Sequence, residues 1–175
     1  DRSDDPLNAM EGWTEELACV GKLVRVTMDE GVKLLTNLWD SLYKDYSNDC
    51  RMVTTMRLSG NCDSQLLYRI TLKECQLAWL VHVMAQVLAQ QKFTASQIEV
   101  GEEILDAEYC KRVFTLSHSI GYRLSNEQSQ KVDARLELAL LAFFRVFRDT
   151  FASLATVSLS EGIGNISMIS GIKQN

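Results

Sequence analysis

The chain has 175 residues, of which 46% are hydrophobic and 23% are charged. These values are typical of a soluble globular protein, and the length allows one domain with a substantial core. The formal net charge of −5 argues against nucleic acid as a partner, because nucleic-acid-binding domains carry an excess of basic residues.

Five helices are predicted from apolar side chains that recur at spacings of three and four residues. Their approximate bounds are 11–26, 28–47, 64–91, 102–122 and 127–155. The single proline favours such long helices, since proline interrupts a helix. Gly21 lies inside the first helix and destabilises it unless a neighbouring helix packs close there.

Local signals set the boundaries of the second helix. Thr27 and Glu30 form the T-x-x-E pattern of a capping box, so we expect Thr27 to be the N-cap. The helix is expected to end near Ser47-Asn48-Asp49, because these residues favour turns. Residues 50–64 have no amphipathic face and are interpreted as an exposed loop.

The third and fifth predicted helices are apolar on more than one face. The third contains LAWLVHVMAQVL, and the fifth contains LELALLAFFRVF. Helices of this kind need several neighbours, which a stack of helix pairs provides. Trp39 and Trp79 are predicted to lie in the core. We predict an all-α fold, a HEAT-like α-solenoid segment of antiparallel helix pairs, although the periodicity alone also allows a helical bundle.

Residues 1–155 are predicted to form a single helical domain. The segment 156–175 is small, polar and glycine-containing, so we expect a poorly ordered or irregular tail. The chain begins with Asp1 and no signal peptide follows, and we expect it to be a piece of a longer polypeptide. Trp13 is expected to contact a preceding repeat. An isolated array exposes apolar flanks, so self-association through its ends is also expected.

The five cysteines contain no CxxC pair and favour a reducing compartment, the cytosol or nucleus. Cys75 and Cys110 fall in apolar helical patterns and are predicted to be core residues. Cys50 and Cys62 flank the predicted loop and can pair or bind metal, but no histidine lies near them in the sequence.

No catalytic, cofactor or metal site is predicted. His82 and His118 are interpreted as structural, because the first lies in an apolar helix and the second has only neighbouring serines beside it. The G-x-G at 162–164 follows no strand and is a weak phosphate-loop signal. The longest apolar stretch, 77–88, is shorter than the roughly 18–20 residues that span a bilayer, so membrane insertion is not expected.

Several charged side chains have structural explanations. Glu102, Glu103 and Asp106 lie in the first turns of the fourth helix, where the helix dipole favours acidic groups. Arg145 and Arg148 are expected on the solvated face of the fifth helix, opposite phenylalanines in the core.

Four segments occur in a characteristic order. They are DDPLNAMEGW at 4–13, LKECQLAWLVHVMAQVLAQ at 72–90, ILDAEYCKRVFTL at 104–116 and KVDARLELALLAFFRVFRDTF at 131–151. The most specific parts are DAEYCKRVF at 106–114 and LELALLAFF at 136–144, the latter followed by Phe147-Arg148. Over roughly residues 4–152 the chain resembles a middle segment of the HEAT array of the exportin-seven family, the Ran-binding-protein-16/17 branch of the importin-β (karyopherin-β) superfamily.

The resemblance implies a helical-repeat scaffold, not an enzyme, and no cofactor. It implies a segment of a nuclear transport receptor for the Ran-GTP-dependent export of protein cargo. The partners it implies are Ran-GTP, protein cargo and Phe-Gly nucleoporins, and the implied location is the cytoplasm, the nucleus and the nuclear pore. It carries no partner-binding residue onto this chain. The residues alone allow a different function, a free-standing helical adaptor that binds a partner protein through an apolar groove.

Overall fold

Five helices occupy the part of the chain that the computed structural model describes, residues 12–58, 63–90, 100–126 and 131–151. They are α1 (Thr14–Val26), α2 (Met28–Leu58), α3 (Ser64–Ala89), α4 (Val100–Asn126) and α5 (134–151). No residue within these ranges lies in a β-strand. The all-α prediction is therefore confirmed.

The contacts between helices give their relative directions. Tyr46 of α2 bonds to Glu74 of α3, whereas Asp49, one turn further along α2, pairs with Arg69, one turn earlier on α3. These two helices are therefore antiparallel. Arg123, near the end of α4, also bonds to Glu74, so α4 approaches the first half of α3 with its last turns.

The helices form two layers. Trp13, just before α1, packs on Trp79 of α3 with ring centroids 6.1 Å apart, while Arg25 near its end reaches the carbonyl oxygen of Val87. Helices α1 and α3 are therefore parallel. Phe114 in the middle of α4 packs on Phe143 of α5, and this contact places α5 beside α4. Helices α1, α3 and α5 make up one layer, and α2 and α4 make up the other, as in a stack of antiparallel helix pairs.

Helix α3 is central in this stack and has buried residues along its whole length. They are Leu66, Ile70, Glu74, Cys75, Leu77, Ala78, Val81, Met84, Ala85, Val87 and Leu88. It packs against α1, α2 and α4, and the N–H of Asp133 at the start of α5 also bonds to it. This arrangement explains why its sequence is apolar on most sides and confirms that it needs several neighbours.

Gly21 marks the closest approach of α1 to α3. A Cβ atom at this position would lie 2.8 Å from the backbone carbon and oxygen of Gln86, too close for any side chain. The glycine is buried. The predicted reason for a glycine inside α1, a closely packed neighbouring helix, is therefore confirmed.

Helix α2 extends beyond its predicted end near Ser47-Asn48-Asp49, and the exposed loop predicted from residue 50 is wrong as far as residue 58. Turn-forming propensity is overridden here by packing, because Tyr46 and Val53 continue the apolar face and are 1% and 4% exposed. Asp49 remains in the helix because Arg69 and Lys73 of α3 neutralise it. Residues 59–62 lie outside the described residues.

One predicted helix start is confirmed and another is corrected. Helix α2 begins at Met28, directly after Thr27, as predicted, and the Thr27 carbonyl oxygen accepts from the N–H of Gly31. The Thr27 hydroxyl, however, donates back to the carbonyl oxygen of Leu23 at the end of α1. Helix α5 begins at residue 134 and not at 127, because Asp133 is its cap: a carboxylate oxygen of Asp133 accepts from the N–H of Arg135. The predicted tail, 156–175, lies outside the described residues.

Candidate protein-binding surfaces

The histidines lie apart from each other and from any group of ligands. His82 is half-buried in α3, and burial lowers its pKa, while His118 is exposed on α4. In the described ranges, no three histidine, cysteine or acidic side chains are grouped so that they could hold a metal ion. None of the helices described has the length and apolar character needed to cross a membrane. The G-x-G at 162–164 and Cys62 lie outside the described residues.

A buried polar cluster, formed by Tyr46, Cys50, Glu74, Arg123 and the backbone of Asp133, connects four helices. The Glu74 carboxylate is 1% exposed and accepts from the Tyr46 hydroxyl at 3.2 Å and from Arg123 Nη2 at 3.0 Å. Its other oxygen accepts from the Asp133 N–H at 2.9 Å. The side chains that start on α2, α3 and α4 therefore meet at the beginning of α5.

The Arg123 guanidinium is the centre of this cluster. Its Nη1 donates to the Tyr46 oxygen at 2.6 Å and to Cys50 Sγ at 3.0 Å. Burial raises the pKa of Tyr46 far above its ordinary value, so the phenol stays protonated and donates to Glu74. Burial also raises the pKa of the Cys50 thiol, despite the adjacent guanidinium, and this disfavours the reactive thiolate. The cluster holds helices together and offers no nucleophile.

Two further ion pairs fix the packing of the array. Asp49 is 4% exposed; burial alone would raise its pKa, but hydrogen bonds from Arg69 and Lys73 together hold it below the ordinary value. Arg25 of α1 binds both carboxylate oxygens of Asp106, at 2.7 and 2.9 Å. Asp106 is thus a buried ion-pair partner, and the helix dipole proposed for it from sequence is not the main explanation.

The described cysteines differ in accessibility. Cys75 and Cys110 are buried, as predicted, and burial raises the pKa of Cys110 to about 11. Cys19 is exposed on α1. Cys50 is half-buried against Arg123 and is a free thiol, so its surroundings do not support a disulfide or a metal ligand at this position.

One end of the array is an exposed apolar surface, which we call the N-end face and define by Leu23, Val26, Leu34, Leu38 and Met52. These side chains are between 46% and 83% exposed. Residues two apart on a helix point in nearly opposite directions. Since Asp40 and Cys50 face α4, Leu38 and Met52 point away from it.

The opposite end has its own apolar surface, the C-end face, which we define by Phe114, Leu138 and Leu141. Leu138 and Leu141 are 62% and 65% exposed and lie opposite the buried side of α5. Phe114 is 39% exposed and stacks on Phe144 at 5.7 Å. The predicted positions of Arg145 and Arg148 on the solvated side of α5 are confirmed, because both side chains are more than two-thirds exposed.

A third apolar strip runs along the outside of α3. Tyr68 and Leu72 are 63% and 48% exposed and lie one turn apart. Further along α3, Trp79 is half-buried beneath Trp13, which is itself 40% exposed. Trp39 is 1% exposed and confirms its predicted core position, whereas Trp79 lies at the edge of the core.

The buried charges are the main feature that the sequence alone does not reveal. Glu74 and Arg123 are 49 positions apart, and Arg25 and Asp106 are 81 positions apart. The sequence indicates their burial in one way only: each charged residue falls on the apolar side of its helix, where a charge needs a partner. Applied to α3, this rule would have singled out Glu74 within LKECQLAWL.

The fold defines a class of protein, an α-helical repeat array. The exportin-7-like TPR domain is the family whose model matches, over residues 1–165. The chain belongs to this exportin-7-like family, which confirms the resemblance seen in its sequence. It is therefore a helical-repeat segment of nuclear-transport-receptor type.

Two relatives illustrate the distance within the family. The chain is 26% identical to Exportin-7-B of Xenopus laevis over 151 residues, which is 86% of this chain and 12% of that protein. It is 27% identical to Ran-binding protein 16 of Drosophila melanogaster over 153 residues, or 87% of this chain and 12% of that protein. The chain thus spans about an eighth of the length of these relatives. No solved structure matches it significantly.

Proposed function

We propose that this chain is a segment of a nuclear transport receptor that takes part in the Ran-GTP-dependent export of protein cargo. The observation that supports this most is the family match over residues 1–165, together with a two-layer helical array over the described part of that range. One relative is named an exportin and the other a Ran-binding protein. The proposed locations are the cytoplasm, the nucleus and the nuclear pore.

The segment acts through surface recognition and not through bond-making. A stack of helix pairs presents long, continuous surfaces, and small rotations between pairs change their curvature. Binding of Ran-GTP would then favour the curvature that also binds cargo. Shallow hydrophobic sites between helices suit the isolated phenylalanines of Phe-Gly nucleoporins.

Electrostatics favours a basic partner surface. The net charge of the chain is −5, and Asp29, Glu30 and Asp45 are exposed on α2. Complementary charge accelerates association and makes it sensitive to salt. We therefore propose that the exposed pair Asp29 and Glu30, in the first turn of α2, takes part in the Ran contact.

Binding of the 175-residue chain to immobilised Ran, loaded with either a non-hydrolysable GTP analogue or GDP, tests the proposal. We expect the GTP form to bind more tightly, and the preference to weaken as salt rises. The substitutions Asp29→Lys and Glu30→Lys should reduce the rate of association with Ran, whereas the matched exposed substitution Glu137→Lys on α5 should not. Equal binding of both nucleotide forms, or no binding, refutes a role for this segment in Ran recognition.

A second candidate function, the helical adaptor, is supported by a groove on α2. The groove has a volume of about 650 Å³ and is lined by Asn48, Arg51, Met52, Thr55 and Met56. Methionines adapt to differently shaped apolar partners. An adaptor would bind an amphipathic helical peptide equally well with and without Ran, and Met52→Glu would abolish that binding. A transport segment would retain its nucleotide-dependent Ran binding in the same variant.

A further inference from the structure

We propose that a strip on the flank of the array binds a basic amphipathic helix of a protein partner. We call it the outer strip and define it by Trp13, Tyr68, Leu72 and Trp79. Three of these side chains belong to α3, which has α1 on one side in its layer and α5 on the other. The outer strip therefore lies along the side of the array and not at either end of it. The inference is independent of the proposed transport function.

The side chains of the outer strip are spaced as on one face of a helix. Along the axis of α3, Leu72 lies about 6 Å beyond Tyr68, and Trp79 lies about 10 Å beyond Leu72. Tyr68 and Leu72 are 63% and 48% exposed, and Trp13, which packs on Trp79, is 40% exposed. A helix laid along α3 matches these intervals with apolar side chains at positions i, i+4 and i+11. The outer strip thus suits an amphipathic helix of about three turns.

Trp13 offers an open aromatic face. The planes of Trp13 and Trp79 are 89° apart, so the edge of one ring meets the face of the other. Whichever ring supplies the edge, at least one face of Trp13 does not contact Trp79. Tryptophan is the aromatic side chain that attracts a cation above its ring most strongly.

The net charge of the chain is concentrated next to Trp13 in the sequence. Residues 1–16 contain six acidic side chains and one basic side chain, whereas the rest of the chain contains 17 of each sign. The net charge of −5 therefore comes from the first 16 residues. Among these, Glu15 and Glu16 lie in the first turn of α1 and are exposed. A lysine or arginine placed over Trp13 is then attracted both by the indole and by carboxylates.

The described basic side chains nearest to Trp13 do not cancel this charge. The first lysine of α1 is Lys22, nine residues after Trp13 and about 13 Å further along the axis. On α3, His82 lies one turn beyond Trp79. Burial lowers the pKa of His82, so its imidazole is uncharged at neutral pH.

The charges at the Tyr68 end of the outer strip are balanced. Arg69 and Lys73 both bind Asp49, and the carboxylate of Asp63 is close enough to act on Arg69 as well. Two cations thus face two carboxylates. The partner helix is therefore expected to place its basic end over Trp13 and its apolar side chains on the exposed part of α3.

Fluorescence anisotropy of a labelled peptide, titrated with the full 175-residue chain, tests the proposal. The probe has about twelve residues of leucine, alanine and lysine in an amphipathic helical pattern, and its matched control has glutamine at every lysine position. We expect the lysine peptide to bind at least about tenfold more tightly than the glutamine peptide. This difference should shrink as salt rises, because salt screens the carboxylates.

A matched pair of leucine substitutions locates the apolar contact. Leu72→Ser removes an exposed apolar side chain without changing the charge, and it should weaken binding of the lysine peptide about tenfold. Leu138→Ser makes the same change on α5 and should leave binding unchanged. Both leucines are exposed, so circular dichroism spectra and urea midpoints should remain those of the unmodified chain.

Two further substitutions locate the charged contact. Glu16→Lys should weaken binding of the lysine peptide about tenfold, whereas Glu137→Lys, an equal change of charge on α5, should have little effect. Trp13→Leu keeps an apolar side chain but removes the indole face. It should reduce the preference for the lysine peptide over the glutamine peptide about fivefold.

Three results overturn the proposal. The first is equal binding of the two peptides, or no binding by the unmodified chain up to about 200 µM. The second is a control substitution on α5 that weakens binding as much as its counterpart on the outer strip, which shows that the peptide binds without a defined site. The third is an unchanged lysine preference in Trp13→Leu, which shows that no cation lies over the indole.

Discussion

Removing Glu74 tests whether the buried polar cluster holds the array together. Glu74→Ala leaves the Arg123 guanidinium, whose side chain is 7% exposed, without its carboxylate partner. It also removes the acceptor for the Tyr46 hydroxyl and for the Asp133 N–H. Breaking one partner out of a buried ion pair costs about 3–5 kcal/mol, because a buried charge is left uncompensated.

The expected loss of unfolding free energy is therefore about 4 kcal/mol. A domain has only about 5–15 kcal/mol in total, so the variant should be visibly destabilised. With a urea dependence of about 2 kcal/mol per molar, the midpoint should fall by roughly 2 M. Urea titration followed by circular dichroism at the helical band measures this shift. Glu137→Ala on the exposed side of α5 is the control and should change stability by less than about 0.5 kcal/mol.

A double substitution separates loss of the ion pair from loss of packing. Glu74→Leu combined with Arg123→Met replaces the buried pair by apolar side chains of similar size. Such replacements are often neutral or stabilising, so the double variant should be more stable than Glu74→Leu alone. The reasoning is refuted if the stability losses of Glu74→Leu and Arg123→Met, each measured alone, add up to that of the double variant within about 0.5 kcal/mol, because residues in one network are expected to couple.

Three further predictions concern close packing, pH and thiol accessibility. Gly21→Ala should destabilise the chain by about 1–3 kcal/mol in urea titration because its Cβ meets the α3 backbone, whereas Gly121→Ala, with nothing within 4 Å, should be neutral or stabilising. The pKa of Asp49 is lowered in the folded chain, so its ion pairs add to the free energy of unfolding above the unfolded-state pKa of about 3.9, and this contribution is lost as pH falls through the folded-state pKa. Lys73→Met should therefore make the urea midpoint less dependent on pH in the acid range. The Cys110 thiol, with a pKa of about 11, should resist alkylation in the folded chain and react once urea unfolds it, as measured by mass spectrometry, and rapid alkylation without urea would contradict its burial.

The helices that the sequence predicts best are those whose apolar pattern and packing agree. The sequence predicts α3 over 64–91, and the helix runs over Ser64–Ala89, because its apolar residues are continuous and Asp63 caps its start. The end of α2 was not predictable from local preference. Ser47-Asn48-Asp49 favours a turn, but the helix continues because Val53 is buried in the core and α3 supplies Arg69 and Lys73 to Asp49. Local sequence contains no information about that contact.

The candidate surfaces were predictable in kind but not in position. Apolar flanks at both ends of an isolated array follow from the helical pattern alone. Which side chains make up the ends depends on the layer order, and this order is set by long-range contacts such as those of Trp13 with Trp79 and of Phe114 with Phe143. The family likewise follows from four segments of the sequence, at 4–13, 72–90, 104–116 and 131–151, while the buried ion pairs that orient the helices come from residues far apart in the sequence.

Arg25 gives a last prediction, because it links three helices at one corner of the array. Its guanidinium on α1 donates to the Val87 carbonyl of α3 and binds both oxygens of Asp106 on α4. Arg25→Met keeps the apolar stem and removes these bonds, and we expect a loss of about 3 kcal/mol. The exposed neighbour substitution Lys22→Met is the control.

Since α1 also packs through Gly21 and Trp13, the loss of Arg25 should loosen this helix first. Native-state hydrogen exchange with mass spectrometry should therefore show faster exchange in α1 and in the first turns of α4, with α5 unchanged. Uniformly faster exchange along the whole chain would show that the array unfolds as one cooperative unit and that Arg25 does not stabilise α1 locally. The distinction matters for a repeat scaffold, because a helix that opens independently can alter the surface it presents without unfolding the rest.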